Sequence, residues 1–218
     1  MIEGVQVIGS GRVGSAVSAR LSERGVAVGE DDPDVVLLCV PDTAIADTAK
    51  CLTRGRAWVG HVSGATPLAA LDPHERRFSL HPLQTFERSG DPSQFDGAWA
   101  AITGETAEAL AVAQELAETL GLQPFELADS DRTLYHAGAV FASNYLVTLQ
   151  RAAVRLGVPA AGLVTLMQGT IAHGFELTGP IARGDWATVE AHKRVIRATH
   201  PELEQLYETL AEATAAIA

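Results

Sequence analysis

The residues best suited to chemistry fall in a few short segments, and the first is a glycine turn. Gly4-Val5-Gln6-Val7-Ile8-Gly9-Ser10-Gly11-Arg12-Val13-Gly14 is an apolar strand ending in G-x-G-x-x-G, with a helix pattern following from Ser15 to about Arg24. Each glycine has its own physical reason. Gly9 permits the tight turn, Gly11 lets backbone approach a pyrophosphate, and Gly14 lets helix pack on strand. The helix then directs unpaired N–H groups and its positive dipole end at the anion. Ser10, Arg12 and Val13 complete the turn, with Arg12 either leaning on a phosphate or simply solvated. A glycine-rich turn without a ligand is the plainer alternative. Glu30 stands about 20 residues further on, where a carboxylate can hold a ribose 2′-hydroxyl. Asp31, Asp32 and Asp34 crowd beside it and would repel a 2′-phosphate, favouring NAD over NADP; a solvated acidic loop is the competing reading.

Other polar residues could face a substrate. His81-Pro82 follows a strand, and ligands of open α/β sheets sit beyond the carboxyl ends of strands, so His81 is either a reacting group or a histidine satisfied in its loop. His136 and Asn144, with Val140 between them, fall on one face of a long helix, two turns apart. Such a polar pair needs partners, supplied by a substrate or by a dimer core. Tyr135 is expected to point elsewhere. Arg183 can hold a carboxylate in bidentate fashion. Asp185 either joins it or caps the helix beginning at Trp186, and His192 lies two turns into that helix. The seven histidines show no short metal spacing. A zinc set of His81, His136 and His192 is conceivable, but no metal is expected.

These residues need a scaffold, and the chain alternates strands with helices. Strand patterns at Val26–Val28, Val35–Val40, Ala57–Val62, Phe78–Leu80, Trp99–Ile102 and Phe125–Leu127 are interleaved with helix patterns, notably after Pro41 and from Thr106 to a glycine stop at Gly121. This predicts an α/β fold, a doubly wound Rossmann domain with a parallel sheet over residues 1–128. Strand signals then vanish. Residues 129–218 read as a small all-helical domain for substrate binding and dimerisation: a long helix capped by Ser130 and reaching Leu156, then helices over 161–177, 186–198 and 201–217. Only Gly29–Asp34 joins the second and third strands, although parallel neighbours need about a dozen connecting residues. The second strand is therefore very short or pairs unusually, and the adenosine end of the pocket is incomplete.

Composition sets outer bounds. The 218 residues carry a net charge of −11, which argues against nucleic acid or an anionic membrane as partner. No apolar run is long enough for a bilayer. A strand beginning next to Met1 leaves no room for a signal peptide, so a cytoplasmic location is expected. Cys39 lies in an apolar strand and is read as a buried thiol; Cys39 and Cys51 form no redox or metal spacing.

The segments GSGRVG, LLCVPD, HVSGATPL, LHPLQTF, LYHAGAVFASNYLVTL and LTGPIARGDWATVEAH span nearly the whole chain. In them the chain resembles Rossmann-like proteins that carry a C-terminal helical domain of unknown function 2520. Its fold is similar to the wider superfamily of 6-phosphogluconate, prephenate and 3-hydroxyacid dehydrogenases and of pyrroline-carboxylate and ketopantoate reductases. The resemblance implies an NAD(P)-dependent oxidoreductase, a homodimer through its helical domain, and no particular substrate; a small carbonyl or imine carboxylate is the expectation drawn beside it. It places Gly9, Gly11 and Gly14 at the cofactor with Val40, Pro41 and Ser63 nearby. It makes His81, His136 and Asn144 catalytic, and Arg183, Asp185 and His192 substrate-binding. Two departures stand out. The insert that relatives carry after the second strand is missing. Val140 also stands where the superfamily often has a lysine one turn before the helix Asn, so His136 or His81 would move the proton. A non-catalytic nucleotide-binding or regulatory protein on a degenerate reductase scaffold is the alternative.

Overall fold

A computed structural model describes residues 1–29 and 31–218. Seven strands form one sheet: β1 (Gly4–Ile8), β2 (Ala27–Val28), β3 (Val35–Leu38), β4 (Trp58–His61), β5 (Arg77–Pro82), β6 (Trp99–Gly104) and β7 (Gln123–Glu126), in the order β2-β1-β3-β4-β5-β6-β7. All neighbours run parallel except β5 and β6, which pair antiparallel. The α/β Rossmann reading holds, with one reversal that periodicity does not encode.

Burial follows from strand alternation. Every residue of β3 is buried, as expected of a strand covered on both faces. Val35 and Leu37 face one core with Phe78, Leu80, Ala100 and Ile102, against α1 (Arg12–Glu23) and α3 (Ala107–Leu120). Val36 and Leu38 face the other, with Val59 and with Ile45 and Ala49 of α2 (Asp42–Cys51). The helix ends agree with their sequence signals. The Thr106 hydroxyl accepts from the Ala109 N–H at 3.1 Å, and Gly121 closes α3 at φ +89°.

The short connection after β2 has a simple resolution. β1 lies between β2 and β3, so those two strands are not neighbours. Val28 and Val35 both stand opposite Val5, on its two sides. Because β2 is only two residues long, Val28 and Val35 lie at the same level of β1. Asp34 anchors the crossing: its Oδ2 accepts from the N–H groups of Glu3 (2.8 Å) and Gly4 (3.2 Å), and these bonds hold its carboxyl below the usual range.

The helical part differs from expectation in three places. The predicted long helix is two, α4 (Arg132–Ala142) and α5 (Asn144–Arg155), parted at Ser143 (φ −113°, ψ −70°). There the Ser143 hydroxyl donates to the Ala139 carbonyl at 2.9 Å, a bond that competes with the helical ladder. Ser130 does not cap α4; a 3₁₀ turn at Asp129–Asp131 precedes it, and the Ser130 hydroxyl donates to Asp131. α6 (Ala160–Ala172) stops short of Leu177 because Gly174 and Phe175 take left-handed φ of +67° and +61°. Then come α7 (Trp186–Thr199) and α8 (Glu204–Ala215).

The chain divides into two compact units, Met1–Ser143 and Asn144–Ala218, so α4 belongs with the sheet although the strands end at Glu126. In the second unit the apolar core is small: Leu163, Val189, Ile196 and Leu203 are buried. Lys193 pairs with Glu208 (3.0 Å) and Arg197 with Glu204 (2.6 Å) across α7 and α8. Among the described residues no helix is long and apolar enough to cross a membrane.

Candidate functional site

The glycine turn leaves the carboxyl end of β1 and enters α1. A Cβ on Gly9, at φ +116°, would stand 2.3 Å from the Cys39 carbonyl oxygen; one on Gly14 would stand 1.9 Å from the Gly9 carbonyl oxygen. Protein packing therefore accounts for both glycines, and it brings Val40 against the turn. Gly11 is different: nothing lies within 4 Å of where its Cβ would be. Its φ of −73° suits any residue, and no side chain caps α1. Its small size leaves open space at the helix N-terminus, where backbone donors point outward. Ser10, Gly11 and Arg12 are exposed and Val13 is half-buried there. Pro41 caps α2 next door. Cys39 is the buried thiol expected, its pKa pushed up to about 12 by burial.

A second group of polar residues arises from strand alternation. Phe78 and Leu80 turn to the α1/α3 core, so Ser79 and His81 point to the opposite face, where Val59 places His61 and Ile102 places Thr103. His61 and Ser79 stand opposite each other in register, as do Ser79 and Thr103. α4 lies over this stripe. Arg132, 1% exposed, donates to the Thr66 carbonyl (2.7 Å), the Thr103 hydroxyl (2.9 Å) and the Ser63 carbonyl. Its nearest carboxylate is Asp129 at 3.9 Å, which also accepts from the Leu68 N–H at 3.0 Å. Arg132 and Asp129 thus staple the start of α4 to the 63–68 loop.

One turn further on, α4 brings Tyr135 and His136 to His81. The Tyr135 hydroxyl lies 2.9 Å from His81 Nδ1, and the His81 and His136 rings meet edge to face at 6.0 Å. The expectation that Tyr135 points elsewhere is corrected here: both residues reach His81. Gly64 makes this possible, since a Cβ there would stand 2.6 Å from His136 Cδ2 and 2.9 Å from His81 Nε2. Ser63 spends its hydroxyl on its own loop, bonding Thr66 Oγ1 (2.8 Å) and accepting from the Thr66 N–H (3.0 Å).

Electrostatics decide what these groups can do. Burial, helped by His136 and Arg132 and opposed by Asp42, brings the His81 pKa down to about 4. Burial with Arg132 and His81 brings His61 to about 3. His61 is fully buried, its Nδ1 accepting from the Ser63 N–H at 3.2 Å; its Nε2 and the Ser79 hydroxyl have no partner among the described residues. Tyr135 is raised to about 12 by burial. At neutral pH His81 is therefore an uncharged imidazole beside a protonated phenol. It is a hydrogen-bond donor or acceptor of fixed charge rather than a base titrating near pH 7, which corrects half of the proton-transfer expectation.

The remaining expectations fall elsewhere. Glu30 lies outside the described residues. Asp32 and Asp34 are not beside the glycine turn: Asp32 pairs with Arg56 at 2.8 and 3.1 Å, and Asp34 binds the start of β1, both at the amino edge of the sheet. Repulsion of a 2′-phosphate by these two carboxylates is thereby removed. Asn144 opens α5 in the second unit, beyond the Ser143 break, so a continuous helix does not align it with His136. In that unit Asp185 caps α7, its Oδ1 accepting from the Thr188 N–H at 3.2 Å and its Oδ2 from the Thr188 hydroxyl at 2.7 Å. Arg183 is exposed in the preceding loop. His192 Nδ1 meets the Tyr207 hydroxyl at 2.9 Å. Sequence reasoning missed Arg132, Asp42 and His61; the available signal was a histidine in phase with Val59 on an otherwise apolar strand.

Residues 98–214 match the family described as Domain of unknown function (DUF2520). The chain belongs to this family. Among solved structures, a candidate NADP oxidoreductase from Bacteroides fragilis, BF3122, is 20% identical over 98% of both chains at a TM-score of 0.82. Protein TM1727 from Thermotoga maritima is 25% identical over 97% of this chain and 98% of that one, at 0.75. An imine reductase from Aspergillus terreus, in complex with NADPH4, is 16% identical over 97% and 94%, at 0.63. No curated protein matches the sequence. The DUF2520 chain thus shares the fold of Rossmann oxidoreductases.

The two kinds of glycine should behave differently on substitution. Gly14→Ala costs about 1–3 kcal/mol of stability through overpacking, whereas Gly11→Ala, with open space around its Cβ, costs far less; equal losses in urea-measured stability would refute the distinction. The buried histidines predict an acid-labile fold. Their folded pKa values lie below the unfolded 6.5, so the unfolded chain binds more protons as pH falls. Stability is complete above about pH 6.5 and declines towards about pH 4, by up to about 1.4 kcal/mol per pH unit for each imidazole. His61→Gln should flatten the urea-measured slope, and a level wild-type profile would show that the histidines are charged.

Proposed function

We propose that this chain is a nicotinamide-dependent oxidoreductase that reduces or oxidises a small carbonyl or imine compound bearing a carboxylate. The observation that carries this reading is the pairing, on one sheet edge, of an anion-ready glycine turn open at Gly11 with a polar cluster of His81, Tyr135 and His136. The turn fits a phosphate-bearing cofactor, because Gly9 and Gly14 bring backbone close and Gly11 keeps it open. When bound, such a cofactor supplies hydride transfer; the protein's part is position and charge. The similarity of fold to a candidate NADP oxidoreductase and to an imine reductase supports the same class.

The chain's own residues then divide the work. Tyr135 donates its phenolic proton to His81 Nδ1, which places the imidazole proton on Nε2, facing the Gly64 gap. From there a neutral His81 donates a hydrogen bond to a substrate oxygen or nitrogen. The Arg132 cation, held behind the 63–66 loop, favours negative charge developing on that atom. His136 moves the proton. In the second unit, taken by itself, Arg183 is assigned to hold a carboxylate, with Asp185 and His192 near it. The choice between NAD and NADP is left to measurement, since Asp32 and Asp34 do not weigh on it.

The second unit also supports a homodimer. α5 and α6 bury only Leu163, while Leu146, Val147, Leu149, Val164, Leu166 and Ile171 stay exposed, an apolar surface that water does not favour.

A panel of keto acids and cyclic imine carboxylates, with either reduced cofactor, tests the enzyme reading. Turnover is expected with one class, and His136→Ala lowers kcat about 10²–10⁴-fold with unchanged circular dichroism. Tyr135→Phe retains cofactor binding but lowers kcat. Cofactor binding without hydride transfer to any compound would favour the non-catalytic reading instead. Sedimentation should give a dimer at micromolar concentration, and a clean monomer would contradict the α5/α6 interface.

A further inference from the structure

Beyond His81 the sheet presents rings to the same face. On β6, Ala100 and Ile102 turn to the α1/α3 core, so Trp99, Ala101 and Thr103 point to the face that α4 covers. In register, His81 stands opposite Ala101, and Ala101 opposite Phe125 of β7. Ala101 carries only a methyl group, and Tyr135 of α4 spans it: the Tyr135 ring meets His81 at 5.5 Å and Phe125 at 5.9 Å. Phe125 in turn meets the Trp99 ring at 6.1 Å, a diagonal pair on neighbouring strands. His81, Tyr135, Phe125 and Trp99 thus form one unbroken run of rings, all within the Met1–Ser143 unit. The run ends in water. Trp99 is 52% exposed, and Leu83 beside it, whose N–H donates to the Trp99 carbonyl at 2.7 Å, is 42% exposed.

The position of this exposed end decides its use. β6 runs antiparallel to β5, so Trp99, at the start of β6, lies at the same carboxyl edge as the glycine turn after β1. The sheet order puts β1, β3 and β4 on one side of His81 and β6 on the other. Leu83 is two residues past His81, about 7 Å along the strand, and β6 is about 5 Å to the side. A small molecule held at His81 therefore reaches Leu83 and Trp99 with the part that faces away from the glycine turn. A flat ring gains most from such a surface, since aromatic pairs in offset or edge-to-face contact add to the area they bury.

We infer that the substrate of this site carries an aromatic ring beside its reacting carbonyl or imine carbon, and that Trp99 and Leu83 bind that ring. This rests on the oxidoreductase reading and names the substrate class within it. The reacting carbon lies between the cofactor and His81, and the ring extends over β6. Trp99 and Leu83 determine specificity; neither touches the reacting atoms.

Steady-state kinetics of the full chain on matched pairs test it: phenylpyruvate against pyruvate, and a benzo-fused cyclic imine carboxylate against pyrroline carboxylate, each with NADH and with NADPH. The ring-bearing member is expected to show a kcat/KM higher by about tenfold or more. Trp99→Ala should bring that ratio to about one and Trp99→Phe should keep most of it, whereas a general loss of fold lowers both members and leaves the ratio in place. Equal kcat/KM within a pair that is turned over, or a ratio that survives Trp99→Ala, would overturn the inference and leave the oxidoreductase reading standing. If no compound is turned over, both fall together. Replacing Trp58 and Trp186 by Phe leaves Trp99 as the sole tryptophan. Its emission is expected to shift on adding phenylpyruvate; a shift on protein dilution alone would mark this surface as an interface between copies and overturn the inference.

Discussion

The buried Arg132 guanidinium is the interaction on which the site depends. It is the largest fully buried side chain, and its nearest carboxylate is 3.9 Å away. A cation removed from water at that depth is stable only if its N–H groups find oxygen acceptors. It finds them on two elements that the sequence keeps far apart, the Ser63–Thr66 loop after β4 and Thr103 on β6. A guanidinium suits this because its planar fork reaches several acceptors at once, which an ammonium cannot. The result is mechanical as well as electrostatic. α4 cannot slide without leaving an unpaired cation, so Tyr135 and His136 are held in register with His81.

Burial, with this cation's help, sets the protonation of its surroundings. His61 and His81 lie on the polar stripe beneath α4, and both are driven neutral, chiefly by burial and secondarily by Arg132 and the neighbouring histidines. Asp42, at the start of α2, partly offsets this at His81. A site of neutral imidazoles near a buried guanidinium, whose nearest carboxylate is 3.9 Å away, is poorly suited to hold another cation and well suited to negative charge on a reacting oxygen.

Much of this was legible in the sequence, for identifiable reasons. The apolar strands, the glycine turn, Thr106 and Gly121 are local signals, and the structure repeats them because their causes are local. The very short second strand was also readable, from the length of Gly29–Asp34 alone. What escaped was non-local. Arg132 looks like a first-turn surface residue until its acceptors in other elements are known. Tyr135 and His136 are adjacent on one helix, and both touch His81 only because Gly64 clears the space between β4 and β5. The break at Ser143 (φ −113°, ψ −70°) leaves no mark in the helical periodicity of 130–156. The antiparallel turn of β6 likewise follows from packing rather than pattern.

Asp32 and Asp34 illustrate how sequence proximity misleads in a doubly wound sheet. In the chain they stand beside Glu30 and suggest one acidic patch near the cofactor. Yet a loop joining two parallel strands on opposite sides of a third must return to the amino edge before the next strand begins. With β2 only two residues long, that return is nearly the whole loop. The carboxylates are therefore delivered to the amino edge by topology, where Arg56 and the free N–H groups of Glu3 and Gly4 give them partners. Shortening one strand thus does more than trim a pocket. It commits Asp32 and Asp34 to the amino edge of the sheet, where Asp34 is part of the scaffold that holds β1 in place.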